Sequence, residues 1–137
     1  MRASQPFALA VRVYYEDTDA AGVVYYANYL KFMERARTDW LAALGFPLPA
    51  FERAHGVVFV VHRCEIDFRR PARLNDALAV TVEVEQCRAS RLVARQEVRR
   101  GETVLTSARV TLACVDAARW RPVRIPAPLA HRMETPA

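Results

Sequence analysis

Three carboxylates stand close together near the N-terminus of the chain, in a short polar segment that ends in a glycine. They are Glu16, Asp17 and Asp19, and Gly22 follows them. The segment favours a turn and leads into a stretch with helical spacing. A helix N-terminus offers unpaired N–H groups and partial positive charge. A carboxylate opposite it could attack or activate water while an N–H holds a developing oxyanion, which is the chemistry of ester or thioester hydrolysis. The same residues also suit a structural Asx turn or an N-cap.

The helix that this segment must feed is indicated by apolar side chains that recur at intervals of three and four residues. The pattern predicts a helix that begins between Tyr25 and Asn28 and ends before Gly45, with Pro47 blocking its continuation. It is the one long helix that the sequence predicts. Its apolar stripe comprises Tyr29, Met33, Ala36, Trp40 and Leu44.

Alternating and β-branched residues predict strands on both sides of this helix. The predicted strands cover residues 7–15, 57–68, 78–85, 92–98 and 104–115. One helix followed by a run of strands indicates an α+β fold with a mostly antiparallel sheet. A single helix covers one face of that sheet, and the many apolar strand positions favour burial of the other face against a second copy. We therefore expect a homo-oligomer, at least a dimer. On the last strand one face would carry Thr106, Ala108, Val110, Leu112 and Cys114.

The composition predicts one domain over residues 1–137, with a core at about 7–118 and a surface tail at about 119–137. No apolar run approaches the roughly 20 residues of a membrane span, and Phe7–Val11 is too short for a signal peptide. Three scattered cysteines favour a reducing cytoplasm. The net charge is +5, and all basic residues except Lys31 are arginines. They would suit an anionic partner, although a bias in composition explains many of them equally well.

The residues around Asp19 also resemble a known family. The run Tyr15–Tyr29, followed by 32–38, is similar to the signature of the hotdog-fold acyl-CoA thioesterases. It resembles most the 4-hydroxybenzoyl-CoA thioesterase family, and within that the small bacterial thioesterases associated with the Tol–Pal system. The similarity extends over about residues 9–125 and includes 57–71, Arg88–Val93 and 114–116. It implies an antiparallel sheet wrapped around one long central helix, in dimers that join edge to edge and often form tetramers.

The resemblance assigns roles by motif position. It implies that Asp19 is the catalytic carboxylate, either as nucleophile or as general base, and that the backbone N–H of Tyr26 polarises the thioester carbonyl. Many Tol–Pal-associated members carry histidine where this chain has Tyr26, and the aromatic residue is more similar to the hydroxybenzoyl-CoA enzymes. Asp17 is interpreted as holding the turn. Near Tyr26, substrate contacts are expected from Gly22, as a position of close approach, and from Val24 and Tyr25. The nucleotide end of CoA is expected to bind the basic stretch that contains Arg88, Ser90 and Arg91.

The substrate implied is an acyl-CoA or an acyl carrier protein thioester, with no cofactor beyond the CoA that it carries. The residue spacing predicts no metal site, and His62 is interpreted as a core or interface histidine on an apolar strand face. Two alternatives stay open. A hotdog hydratase or dehydratase would need a histidine, and none lies in the Asp19 segment. A non-catalytic basic binding or scaffold protein, such as a nucleic-acid binder, would need clustered cations, whereas here acids are interleaved with them.

Overall fold

Five antiparallel strands and three helices form the structure, a computed structural model that describes residues 6–134. A short 3₁₀ turn at Tyr15–Asp17 follows the first strand. The elements in chain order are β1 (Phe7–Arg12), α1 (Asn28–Ala43), α2 (Leu48–His55), β2 (Val57–Phe68), β3 (Ala77–Arg88), β4 (Arg91–Arg100), β5 (Thr103–Asp116) and α3 (Ala127–Glu134).

The sheet has the strand order β1-β3-β4-β5-β2, and every neighbouring pair is antiparallel. Strands β3, β4 and β5 follow one another through two hairpins. Strands β1 and β2 lie at the two edges, and each pairs with a strand that is distant in sequence. The predicted α+β class and the predicted five strands are therefore confirmed.

The long helix α1 packs its predicted apolar stripe onto one face of the sheet, called here the inner face. Tyr29, Met33, Ala36 and Trp40 are buried, and so are all five residues predicted to share a face of β5. The helix ends in a Schellman motif, in which Gly45 N–H bonds to Ala42 and Phe46 N–H bonds to Leu41. Gly45 has a φ of +99°, a backbone conformation that side-chain-bearing residues rarely adopt. The sequence therefore fixes both the inward face and the end of this helix.

Two further helices were not expected from the sequence. Helix α2 packs Phe51 against Phe46 and Phe59 and covers the start of β2. Helix α3 buries Leu129 completely and Met133 almost completely, and Ile125 before it is buried as well. All three belong to the main apolar core. The expectation of a surface tail after residue 118 is therefore wrong, because this segment closes one end of the core.

The other face of the sheet, the outer face, differs from the apolar surface that was expected. Its centre carries a charged row in which Arg109 contacts Glu85 at 2.8 Å and Glu65 at 3.8 Å, and Arg95 contacts Glu85 at 3.7 Å. The apolar positions counted in the strands lie mainly on the inner face, so they do not argue for covering the outer one. His62 sits at a β-bulge in β2 and is exposed, which corrects its interpretation as a buried histidine. Within residues 6–134 no helix is both long and apolar enough to cross a membrane.

Candidate active site

The segment that carries Asp19 folds into a tight hairpin turn. Thr18 and Val24 form an isolated antiparallel bridge, and Gly22 N–H bonds to the Asp19 carbonyl at 3.0 Å. The Asp19 Oδ1 accepts the N–H of Ala21 at 2.8 Å, as in an Asx turn. The Asp19 side chain is exposed at the tip, so this bond orients the carboxylate while solvent still reaches it.

Gly22 has a φ of +81°, which explains why the turn needs a glycine. No described heavy atom lies within 4 Å of the position that a Cβ would occupy, however. The chain therefore does not approach itself closely at this point, and a close approach of substrate to Gly22 stays a prediction.

Asp17 holds this hairpin in place, as interpreted from the sequence. It is buried, and its Oδ2 accepts the N–H of Tyr14 at 2.9 Å. Its carbonyl accepts both the N–H of Tyr25 at 3.0 Å and the side-chain amide of Asn28 at 2.9 Å. Asp17 thus connects the end of β1, the hairpin and the first residue of α1.

The hairpin is also fixed to the segment that follows β2. The Val24 N–H bonds to the Ala72 carbonyl at 2.8 Å, and Val23 forms a bridge with Arg73. The hydroxyl oxygen of Tyr29, the second residue of α1, accepts the N–H of Ala72 at 3.0 Å. Two residues of the 72–73 segment are therefore bonded to the predicted site.

The N-terminus of α1 carries no side-chain cap. Ala27 is its N-cap residue, and none of the three carboxylates bonds to the first turn. Asn28 N–H bonds to the Tyr25 carbonyl and Tyr29 N–H to that of Tyr26, while in the described residues the Tyr26 N–H bonds to no protein acceptor. An open N–H at a helix start is a donor for a ligand oxygen.

A cleft of about 260 Å³ opens beside this donor. Val24 and Tyr26 contribute to it, as does Phe68, whose ring meets Tyr26 edge-on at 6.2 Å and Tyr29 at 5.6 Å. Tyr25 stands outside with its ring 5.0 Å from that of Tyr26. The lining is Val24, Tyr26, Tyr29, Phe68, Arg69, Arg70 and Pro71.

The sequence indicated no role for the wall from Phe68 to Pro71. This segment follows β2 and lies about 40 residues beyond Tyr26 along the chain. Its register opposite Thr106 and the aromatic contacts with α1 bring it to the site. Arg69 and Arg70 both donate their N–H to the Leu105 carbonyl, which shows that the chain bends there. Two consecutive residues consequently line the same cleft rather than opposite faces of a strand.

Burial raises the pKa of Tyr29 above its ordinary value, although the hydrogen bond from Ala72 opposes that effect. The phenol therefore stays protonated at neutral pH. Its oxygen accepts the Ala72 N–H, and the buried Thr106 side chain is its other polar neighbour, so the hydroxyl anchors the start of α1 to the sheet.

The basic stretch predicted to bind the nucleotide lies elsewhere in the protomer. Arg88 and Arg91 pair across the turn between β3 and β4, where Ser90 accepts the N–H of Cys114. Arg91 lies opposite Ala113, whereas Phe68 of the cleft lies opposite Thr106. Those seven residues of β5 amount to about 23 Å at the usual strand rise. One protomer therefore brings Asp19, Gly22, Val24, Tyr25 and Tyr26 into one region, but Arg88, Ser90 and Arg91 into another.

Histidine, cysteine and acidic side chains are the usual protein ligands of a metal ion. Within residues 6–134, no three of them are arranged to share an ion. The chemistry offered by the site is that of a carboxylate, a helix N-terminus and an aromatic cleft.

Comparison with known proteins gives the same picture. The sequence model of the thioesterase-like superfamily matches residues 13–133. The chain is 42% identical over 120 residues to the acyl-CoA thioesterase YbgC of Haemophilus influenzae, covering 88% of both chains. It is 43% identical over 121 residues to the acyl-CoA thioester hydrolase YbgC of Escherichia coli O6:H1, covering 88% of this chain and 90% of that protein.

Solved structures share the fold as well. Slr0204, a 1,4-dihydroxy-2-naphthoyl-CoA thioesterase from Synechocystis, superposes with a TM-score of 0.85 at 26% identity, over 94% of this chain and 96% of that one. Sequence and structure thus agree over nearly the whole chain. The protein belongs to the thioesterase-like superfamily and is a thioester hydrolase with the hotdog fold.

Proposed function

We propose that the chain hydrolyses acyl-CoA thioesters to the free acid and CoA. One observation carries the proposal: the exposed Asp19 carboxylate lies on a hairpin whose next residues lead into α1, where the open Tyr26 N–H borders an aromatic cleft. The names of the YbgC relatives support the same substrate class. No disulfide bond joins the three cysteines, all of which lie within the described residues, and this is in keeping with a cytoplasmic site of action.

Asp19 would supply the negative group for the reaction in one of two ways. As a nucleophile, a carboxylate oxygen attacks the thioester carbonyl carbon, the C–S bond breaks, CoA leaves as thiolate, and water then hydrolyses the mixed anhydride. As a general base, the carboxylate takes a proton from the water that attacks the same carbon. Both routes consume one water and yield one acid and one thiol.

The Tyr26 N–H would stabilise the carbonyl oxygen as it gains charge. A backbone donor at a helix start is fixed before the reaction, and loss of one such donor in other enzymes costs about 10²–10³ in rate. The Tyr26 side chain has a separate role as a cleft wall with Phe68.

The separation between the cleft and Arg88, Ser90 and Arg91 suggests that two protomers share each substrate. Strand β2 is an edge of the sheet, and it exposes Val61 and Phe68, each about half exposed. An edge with open backbone groups and apolar side chains favours pairing with another strand. We infer a homodimer in which β2 pairs antiparallel with β2 of a second copy, and tetramers could form from such dimers.

This pairing has a geometric consequence. A two-fold axis through the middle of β2 places the Phe68 end of one strand beside the Val57 end of the other. Val58 and Val60 lie at the level of Val115 and Ala113, and Ala113 in turn lies opposite Arg91. The cleft of one protomer would therefore lie toward the β3–β4 turn of its partner, within reach of one CoA molecule.

The test compares wild type with Asp19→Asn and with Glu16→Gln, a neighbouring exposed carboxylate, on short, long and aromatic acyl-CoAs. Release of CoA is followed with a blank for the protein's own thiols. We expect Asp19→Asn to lower kcat/KM by roughly 10²–10⁴, the usual range for acid–base groups, and Glu16→Gln to leave it within about twofold. Equal activity of Asp19→Asn and wild type would contradict the proposal.

The same assay addresses two alternatives. Acyl carrier protein thioesters present the same phosphopantetheine arm, so they are assayed beside the CoA esters. A hydratase or dehydratase would need a histidine at the thioester, and none of His55, His62 and His131 lines the cleft. Addition of water to an enoyl-CoA without release of CoA would favour that activity.

A further inference from the structure

One end of the sheet carries a group of arginines that the proposed function uses only in part. Arg88 and Arg91 flank the β3–β4 turn, and Arg119, Arg121 and Arg124 lie on the segment after β5. Hydrogen bonds hold the two stretches together: Ile125 N–H bonds to the carbonyl of Ala89 at 2.9 Å, and the Cys114 N–H to that of Ser90 at 2.8 Å. We call these five arginines the basic end.

Several arginines on the strands form ion pairs with carboxylates, but the arginines of the basic end do not among the described residues. In the part of the chain that the structure describes, ion pairs occupy Arg95, Arg99, Arg100 and Arg109, but none involves the basic end. The nearest carboxylate in sequence is Asp116, the last residue of β5, whose Oδ1 accepts the N–H groups of Ala118 and Arg119. These hydrogen bonds and the charge of Arg119 lower the pKa of Asp116, whereas the other four arginines of the basic end are exposed and, among the described residues, form no ion pair that would compete with an anion.

Trp120 lies between Arg119 and Arg121 in the chain, with 63% of its surface exposed. Its φ is +59°, which is uncommon for a bulky residue, and its N–H bonds to the Asp116 carbonyl at 2.8 Å. Ala89, on the adjacent turn, also has a positive φ, of +53°. Such outliers collect at ligand sites, and an indole held in solvent gains nothing from core packing.

We propose that Trp120 and the basic end bind the nucleotide of CoA, with the indole against the adenine ring and the arginines on the phosphates. This rests on the proposed function, because it takes CoA as the substrate, and it adds Trp120, Arg119, Arg121 and Arg124 to the expected contacts. Adenine stacks on aromatic rings, and arginine bonds to phosphate through paired, charge-assisted hydrogen bonds.

The size of the patch favours a nucleotide over a lipid surface. Among the described residues, Trp120 is the one large apolar side chain exposed on the segment after β5. It offers a platform for a single ring, whereas a membrane-binding face needs an apolar stripe. A nucleotide also carries several phosphates together with one base, which matches one exposed indole on a segment that carries three arginines and is bonded to the turn that carries two more.

Fluorescence gives a direct test that needs no catalysis. The chain has two tryptophans, and Trp40 is buried, so the exposed Trp120 should report on a ligand. Adenosine 3′,5′-bisphosphate should quench wild type saturably. Trp120→Leu should lose this quenching and bind roughly tenfold more weakly by calorimetry, whereas Trp120→Phe should keep most of the affinity. Arg121→Gln should weaken binding, whereas Arg95→Gln, an exposed arginine outside the basic end, should not.

Kinetics give the second readout. The ratio of kcat/KM for an acyl-CoA to that for the matching N-acetylcysteamine thioester, which lacks the nucleotide, should fall roughly tenfold in Trp120→Leu and stay constant in Arg95→Gln. General damage would lower both rates and leave the ratio unchanged, which would contradict the proposal. Absence of nucleotide binding, or binding of Trp120 to vesicles of anionic lipid instead, would overturn it. Nucleotide binding without thioester hydrolysis would uphold this site and refute the proposed function.

Discussion

Two aspartates that stand two residues apart have different surroundings. Asp17 is buried and accepts hydrogen bonds at both its side chain and its carbonyl, whereas the Asp19 carboxylate is exposed and accepts one. A sequence pattern can identify the segment, but it cannot by itself assign the two roles. The hydrogen bonds separate the group that holds the turn from the group that is free to react.

Asp17→Ala should therefore affect stability. Its loss leaves the Tyr14 N–H without its acceptor, and an unmade hydrogen bond of this kind costs about 1–3 kcal/mol. Urea denaturation should show that loss in Asp17→Ala, while Asp19→Asn should unfold within about 0.5 kcal/mol of wild type. Equal stability of all three proteins would mean that Asp17 does not hold the hairpin.

Cys114 provides a prediction about pH. It is fully buried on the inner face, and burial raises the pKa of its thiol to about 11. The thiolate, which is the reactive form, is therefore scarce below that pH. Native protein treated with iodoacetamide at pH 8 should leave Cys114 unmodified by peptide mass mapping, and denaturant should expose it. Rapid native labelling of Cys114 would show that this part of the core opens readily.

At the scale of elements, one side chain joins the helix to the sheet. The Gln96 amide donates to the Met33 carbonyl in α1 and to the Thr81 carbonyl in β3, and its oxygen accepts from Arg37 at 2.9 Å. The Thr81 hydroxyl accepts the N–H of Glu97 on the neighbouring strand β4. Burial lowers the pKa of Arg37, yet its guanidinium stays charged at neutral pH and needs this acceptor.

Gln96→Leu should for that reason destabilise the fold, although leucine is similar in size to glutamine and position 96 is buried. It would remove the acceptor of the half-buried Arg37 guanidinium together with two buried donor bonds, a change that costs about 2 kcal/mol or more. Gln86→Leu, at an exposed position of the same hairpin, is the matched control and should be near neutral. Thermal and urea unfolding compare the pair, and similar effects of the two changes would refute a linking role for Gln96.

The sequence predicted the elements whose apolar residues recur regularly, but it did not predict the two short helices that carry a proline in their first turn. Helix α1 was predicted in its extent because its stripe is long and Gly45 ends it. Helices α2 and α3 have eight residues each, with Pro49 and Pro128 in their first turns. Proline suits the first turn of a helix, but in a short segment it looks the same as a chain break. The cleft wall after β2 was missed for another reason, because only the sheet register brings it to α1.

At the scale of the whole molecule, the proposed dimer depends on the exposed β2 edge. Val61 lies near the middle of that strand with 53% of its surface exposed, beside the bulge at His62. Since the cleft and the basic end lie at opposite ends of the sheet, an assembly through this edge would join them.

Val61→Lys should separate the protomers, because a charge on an open edge opposes strand pairing. Light scattering should find wild type as a dimer or larger and Val61→Lys as a monomer with little acyl-CoA hydrolysis. The control is Ala77→Lys, at an exposed position on β3, which is not an edge strand. It should leave the mass of the assembly in solution as in wild type. A wild type that is monomeric and fully active would refute the shared site.

The strand order also has a consequence for the time course of folding. The β3–β4–β5 meander contains only neighbouring strands, so it can form early, whereas β1 must find β3 about 70 residues away and β2 must find β5 across the meander. The Asp19 hairpin needs the Ala72 carbonyl and Arg73 before it is fixed. The hairpin that carries Asp19 is therefore expected to become ordered only after strands distant in sequence have paired, later than the β3–β4–β5 meander.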